Sequence, residues 1–238
     1  MSDTHMRRPE DEIKQPIVHA GPHARDIMNF MIKEDYLKNA YKKPDNITFI
    51  TAHNYVDDEL GSAESKLHRH NELFDLDGKK VSIFERSLHH LGIGLPVVVS
   101  KPVCGHHETD KEKVEKYGMY SHLMKEQWIL EYLENNETTE LTMWCDAGDV
   151  ILKDDPQKII EIFESFKCSA LFMSTHSLDG YNCMPEVKSF IDNVNETGRY
   201  LNSGVYIGKT EFIKDVISEA MKYAIPHGVT MGQYHEYL

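Results

Sequence analysis

The chain has 238 residues, 40% hydrophobic and 27% charged, the balance of a globular protein long enough to bury a full core. Its 26 basic against 39 acidic residues leave a formal charge of −13, which argues against tracking a nucleic-acid backbone and against docking on anionic lipid. No apolar run approaches the roughly 18 residues of a membrane span; with a charged start lacking a signal's apolar segment and only Cys104, Cys145, Cys168 and Cys183, we expect a cytoplasmic setting with free thiols.

Residues 1–22 are polar, carry Pro9, Pro16 and Pro22, and read as a loose arm. Residues 24–41 place Ile27, Met28, Met31, Ile32 and Tyr36 at three-to-four spacing, which predicts an amphipathic helix ended by Pro44. Residues 47–52 (ITFITA) are β-rich and read as a strand. Residues 53–71 read as a long loop or broken helix. Residues 81–91 are helical by pattern, stopped by Gly92. Residues 95–99 give a second strand, followed by a charged loop. A helix over 117–135 rests on Met119, Leu123, Trp128, Ile129 and Leu133, and residues 141–145 form a third strand. Downstream come a helix over 155–166, strands over 170–174 and 205–207, and a helix over 210–223. Strands alternating with helices predict an α/β fold, a mostly parallel sheet flanked by helices. The arm and first helix take residues 1–45 and the sheet domain takes 46–238.

Open α/β sheets bind ligands beyond the carboxyl ends of their strands. After the third strand come Asp146-Ala147-Gly148-Asp149 and the apolar Val150-Ile151-Leu152. Two carboxylates on a tight turn at a sheet's rim are hard oxygen ligands suited to Mg²⁺ or Mn²⁺. Asp and Gly are also what a plain turn selects. A second island, residues 200–208 (YLNSGVYIG), puts small polar groups and unhindered backbone at a strand edge, where a ligand can approach. Cys104-Gly105-His106-His107 lacks the second matching pair that a zinc site needs.

In this order the two islands resemble GT-A fold glycosyltransferases of the type found in the glycosyltransferase domain of procollagen lysyl hydroxylases (PLOD-type). That family shows an Asp-x-x-Asp-Val-Ile turn and a later Phe/Tyr-Leu-Asn-Ser-Gly-Gly-Phe-Ile-Gly strand. Here Val205 and Tyr206 replace the second glycine and the phenylalanine. The resemblance implies a GT-A-like, Rossmann-like sheet and transfer of a hexose from a UDP-sugar held through Mn²⁺ or Mg²⁺. It implies that Asp146 and Asp149 hold the metal, Asp146 also lying near the ribose. Thr51, Ala52 and His53 would border the uracil and ribose, and Lys125 would lie near the nucleotide. Asn202, Ser203 and Gly204 would line the donor sugar and the acceptor side. The family's Asp-Asp-Gln is Met231-Gly232-Gln233 here, so Gln233 and Asn202 are the candidates for the catalytic step. The family's third metal ligand is a histidine well downstream, and this sequence stops at Leu238; we expect a truncated or shortened domain, with His227, His235 or water as the alternatives.

Chemically, such a transfer leaves a diphosphate with extra negative charge, which a bound cation offsets without a basic surface. The acceptor stays open among a sugar, a protein side chain and a nucleobase. The alternative is a non-catalytic nucleotide-sugar-binding or scaffold protein of the same fold, motivated by the two carboxylates missing before Gln233. A haloacid-dehalogenase-type phosphohydrolase is disfavoured, because its acidic pair is Asp-x-Asp and this one is Asp-x-x-Asp.

Overall fold

The structure is a computed structural model that describes residues 17–19, 24–33, 41–52, 74–99, 101, 111–117, 122–175 and 200–224. In chain order the elements are β1 (Ile17–His19), α1 (Ala24–Lys33), β2 (Ile47–Thr51), β3 (Phe74–Leu76), β4 (Lys79–Val81), α2 (Ile83–His90) and β5 (Val97–Val98). They continue with α3 (Lys111–Tyr117), α4 (His122–Asn135), β6 (Leu141–Cys145), β7 (Val150–Leu152), α5 (Pro156–Phe166), β8 (Ala170–Thr175), β9 (Tyr200–Lys209) and α6 (Thr210–Ala224).

Five strands form the central sheet in the order β5-β2-β6-β9-β8. β2 is parallel to β5 and β6, and β9 is antiparallel to both β6 and β8. Four strands therefore run one way and β9 alone runs the other, so the expected mostly parallel sheet is present.

The period-2 alternation of strand residues sorts the core onto two faces. Ile47, Phe49, Leu141, Met143, Cys145, Val205 and Ile207 pack on one face with Phe84 and Leu88 of α2 and Ile159, Ile160 and Phe163 of α5. Ile50, Trp144 and Tyr206 pack on the other with Ile129 and Leu133 of α4 and Ile213 and Ile217 of α6. Cover on both faces explains why β2 and β6 are buried at every position. Thr142, on the second face, satisfies its hydroxyl against the Thr210 hydroxyl at 2.9 Å.

Local chemistry fixes the helix starts. Ser82 caps α2 with a reciprocal box: its hydroxyl accepts from the Glu85 N–H at 3.2 Å, and Glu85 accepts from the Ser82 N–H at 2.8 Å. Asp155 caps α5 ahead of Pro156, accepting from the Gln157 N–H at 2.9 Å. Gly92, at φ 74°, supplies the left-handed residue after α2 that the sequence predicts.

Four readings need correction. The supposed loose arm contributes β1, which pairs antiparallel with β7 through Val18↔Ile151. Part of the supposed charged loop is α3, whose few apolar residues gave no periodic signal. Of the helix read over 117–135, Tyr117 is the last described residue of α3 and α4 covers His122–Asn135, residues 118–121 lying outside the described ones. The strand read over 205–207 runs on through Tyr200–Lys209, because Tyr200, Leu201 and Asn202 pair with β8 beyond a bulge between Phe172 and Met173, despite the low strand propensity of Asn202. The end of the first predicted helix beyond Lys33 and the predicted loop over 53–71 lie outside the described residues.

Candidate active site

β6 delivers the acidic turn. Alternation puts Asp146 on the same face as Trp144, and the backbone ladder extends one residue past the strand: the Asp146 N–H donates to the Gly204 carbonyl at 2.8 Å. That bond brings the two sequence islands together. β9 runs antiparallel to β6, with Cys145 opposite Val205, so Ser203 and Gly204 lie at the carboxyl end of β6. Thr51, at the carboxyl end of β2, is buried and donates its hydroxyl proton to the Cys145 carbonyl at 2.7 Å. It braces the strand end immediately before Asp146.

The turn is held from its other side as well. The Phe84 N–H in the first turn of α2 donates to the Ala147 carbonyl at 3.1 Å. The Leu152 N–H donates to the Ser87 hydroxyl at 3.1 Å, and β7 is tied to β1. Both Asp146 and Asp149 are half-buried, between a fully buried Cys145 and a fully buried Val150. Their flanks are anchored apolar residues, so the turn cannot drift without exposing core. Exposing one such side chain costs about 1.5–3 kcal/mol.

Lys125 of α4 reaches this turn. Its side chain is 5% exposed, and its ammonium lies 3.2 Å from Asp146 Oδ1, whose side chain is 34% exposed. The Trp144 indole N–H donates to the same oxygen at 3.3 Å. The ammonium also lies 3.5 Å from the Ser203 carbonyl and 5.1 Å from the centre of the Trp144 ring, a cation–π distance. A buried cation thus orients a rim carboxylate while leaving part of it open to solvent.

Two groups behind this pair are strongly perturbed. Burial pushes the Glu126 carboxyl up to about 7; Lys125 draws it down and Asp146 pushes it further up. Burial, then the Glu126 carboxylate, pushes the Tyr206 hydroxyl well up. The Cys145 thiol is also raised, by burial and then by Asp146, so it stays protonated and unreactive.

The structure therefore brings Thr51, Lys125, Asp146, Ser203 and Gly204 to one end of the sheet. Asp149 ends the same turn as Asp146. Ala52 follows Thr51 and is half-buried. Asn202 sits in β9 opposite Met173. His53, Gln233, His227 and His235 lie outside the described residues, as do Cys104 and the adjacent histidines. Sequence reasoning missed Glu126. Its signal was available: Lys125 and Glu126 stand four and three residues before Ile129, on the stripe that should be apolar.

Among the described residues, no group of three His, Cys, Asp or Glu side chains is placed to hold a metal ion. What the turn offers is two carboxylates, a hard-oxygen donor set that fits part of a Mg²⁺ or Mn²⁺ shell and leaves the rest to phosphate or water. A concavity of about 370 Å³ lies at the opposite end of the sheet, lined by Asn46, Glu140, Phe163, Lys167 and Lys209 among others. It is remote from the Asp146 turn, and the volume alone does not make it the site of chemistry.

The family model described as the PLOD GT domain matches residues 79–224, more than half of the chain. The chain belongs to the PLOD glycosyltransferase-domain family. The search of curated proteins found no match. The region matched to the PLOD GT domain contains Lys125, Asp146, Asp149 and the Asn202-Ser203-Gly204 segment, and it excludes Thr51, Ala52, His53 and Gln233. A PLOD GT domain carries the GT-A-like α/β architecture described above. Membership points to glycosyl transfer, and hence to a nucleotide-sugar donor and an acceptor. No described helix is long and apolar enough to cross a membrane.

Proposed function

We propose that this PLOD-type domain transfers a hexose from a UDP-sugar to an acceptor, with Mn²⁺ or Mg²⁺ held by Asp146 and Asp149. The observation that supports this best is the 2.8 Å bond from the Asp146 N–H to the Gly204 carbonyl. It joins the acidic turn to the Asn202-Ser203-Gly204 edge at the strand ends where α/β folds bind ligands. A divalent ion bound there would supply charge stabilisation for the departing diphosphate.

The chain's own residues do the rest of the work. Lys125 and the Trp144 N–H fix the rotamer of Asp146, so no ordering of that side chain is needed when the donor arrives. The Lys125 ammonium, 3.2 Å from Asp146 Oδ1, adds positive charge beside the carboxylate that would hold the ion. Ser203 and Gly204, buried with their carbonyls facing the Lys125 ammonium and the Asp146 N–H, fix the strand edge beside the turn, and Thr51 holds the end of β2 next to it. Asn202 and Gln233 remain the candidates for contact with the reacting sugar and acceptor.

Met231-Gly232, standing where the family has two carboxylates, favours a second reading, in which the fold binds a nucleotide sugar without turning it over. Incubation with UDP-glucose and UDP-galactose, each with Mn²⁺, separates the two. Release of UDP, accelerated by a suitable acceptor and abolished by Asp146→Asn, supports the transferase. Binding of either donor with no UDP released, across sugar, peptide and nucleoside acceptors, supports the non-catalytic reading.

A further inference from the structure

Helix α4 delivers two neighbouring charges to its buried face, and the donor site described above uses only Lys125. Glu126 is 2% exposed. It accepts one long hydrogen bond, from the Tyr206 hydroxyl to Oε2 at 3.5 Å. Around the pair are Phe172 of β8, Ile213, Val216 and Ile217 of α6 and Ser203 of β9, lining a cavity of about 10 Å³. That is no more than the space of a single water. Among the described residues, the charged groups acting on Glu126 are Lys125, from its own helix, and Asp146, from the end of β6, and the α6 side chains that line the cavity are apolar. The Tyr206 ring needs no hydroxyl for its packing, since it already stacks on Trp144 with centroids 6.4 Å apart and meets Phe172 at 5.2 Å. A buried carboxyl without a hydrogen bond costs several kcal/mol, so an acid and a phenol placed together here serve each other.

From this arrangement we infer that Glu126 is a positioning residue: hydrogen-bonded to Tyr206 on β9, it locks the start of α4 to the sheet so that the adjacent Lys125 ammonium faces Asp146. The inference rests on the proposed donor site for its functional meaning. As a neutral acid, Glu126 leaves the ammonium committed to Asp146. Once ionised it becomes a second anion one residue away and competes for the same cation. Burial holds the changeover near 7, and the Tyr206 hydroxyl, which favours the charged form, draws it down.

The test needs no nucleotide in its first arm. Trp144 stacks on Tyr206 and carries Lys125 over its ring, so in a Trp128→Phe background, where it is the one tryptophan, its emission reports the lock. Titrated from about pH 5.5 to 8.5, the wild type should show an inflection near 7. Glu126→Gln should abolish the inflection, and Tyr206→Phe should move it to higher pH. In the second arm, UDP affinity with Mn²⁺ at low pH should fall about tenfold in Glu126→Ala and recover in Glu126→Gln. Identical titrations of wild type and Glu126→Gln, or a Gln variant as weak as Ala, would overturn the inference. If Glu126→Ala does not fold, the Gln and Phe variants decide. If the wild type binds no UDP, the donor reading fails and the emission arm alone judges the lock.

Discussion

At the residue scale the central feature is a shared oxygen. Asp146 Oδ1 receives both the Lys125 ammonium at 3.2 Å and the Trp144 N–H at 3.3 Å. Solvent reaches the one-third exposed Asp146, and burying the Lys125 ammonium offsets the Coulombic gain, so the net contribution of the pair to folding is small. Its value is orientation. Lys125→Met should therefore change the melting temperature little while weakening UDP binding about tenfold, read by thermal melts and calorimetry on the same preparations. A large loss of stability with unchanged affinity would make the lysine structural instead.

Glu126 makes the opposite prediction. Its value in the folded protein, about 7, lies above the ordinary 4.5, so its contribution to stability is fully present below about 4.5 and is lost as the pH rises through about 7. Glu126→Gln cannot ionise. Its melting temperature relative to wild type should be higher at pH 8 than at pH 5, each pH measured in matched buffers. The acidic pair was legible in the sequence because two aspartates follow an apolar strand. Glu126 was passed over although it stands three residues before Ile129 on the stripe that should be apolar, because a glutamate on a helix is ordinarily solvated; its partner, Tyr206, only tertiary packing shows.

At the element scale the site depends on how closely β9 lies against its neighbours. A Cβ at Gly208 would stand 2.9 Å from each of three atoms: Ala170 Cβ, Ile213 Cδ1 and the Ser169 carbonyl oxygen. The last is backbone and cannot rotate away. Gly208→Ala should thus cost about 1–3 kcal/mol, measured by urea denaturation, and leave UDP affinity intact if the other end of β9 keeps its register. The central strands β2 and β6 were legible from β-rich runs, and α2, α5 and α6 from helical periodicity and caps. β1 was not, because three residues, Ile17–His19, form a strand only when β7 is there to pair with. β9 was under-read because Asn202, Ser203 and Gly204 have poor strand propensity; β8 pairs with Asn202 and the Asp146 N–H holds the Gly204 carbonyl, and these tertiary contacts override it.

At the scale of the whole molecule, the sheet separates anchoring from chemistry. One face buries Phe49, Phe84, Leu88 and Phe163 and holds the turn from below. The other carries Trp144, Tyr206 and Ile129, and along that face Lys125 reaches Asp146 while Glu126 meets Tyr206. An acidic chain, −13 overall, can bind a diphosphate here only by concentrating positive charge locally, with one buried lysine and, in our reading, a divalent ion. The measurement that addresses this most directly is calorimetric titration of UDP into the protein with and without Mn²⁺, repeated with Asp149→Ala. We expect Mn²⁺ to tighten UDP binding at least about tenfold, and Asp149→Ala to erase that gain. Equal affinity with and without the metal, unchanged by Asp149→Ala, would contradict the account.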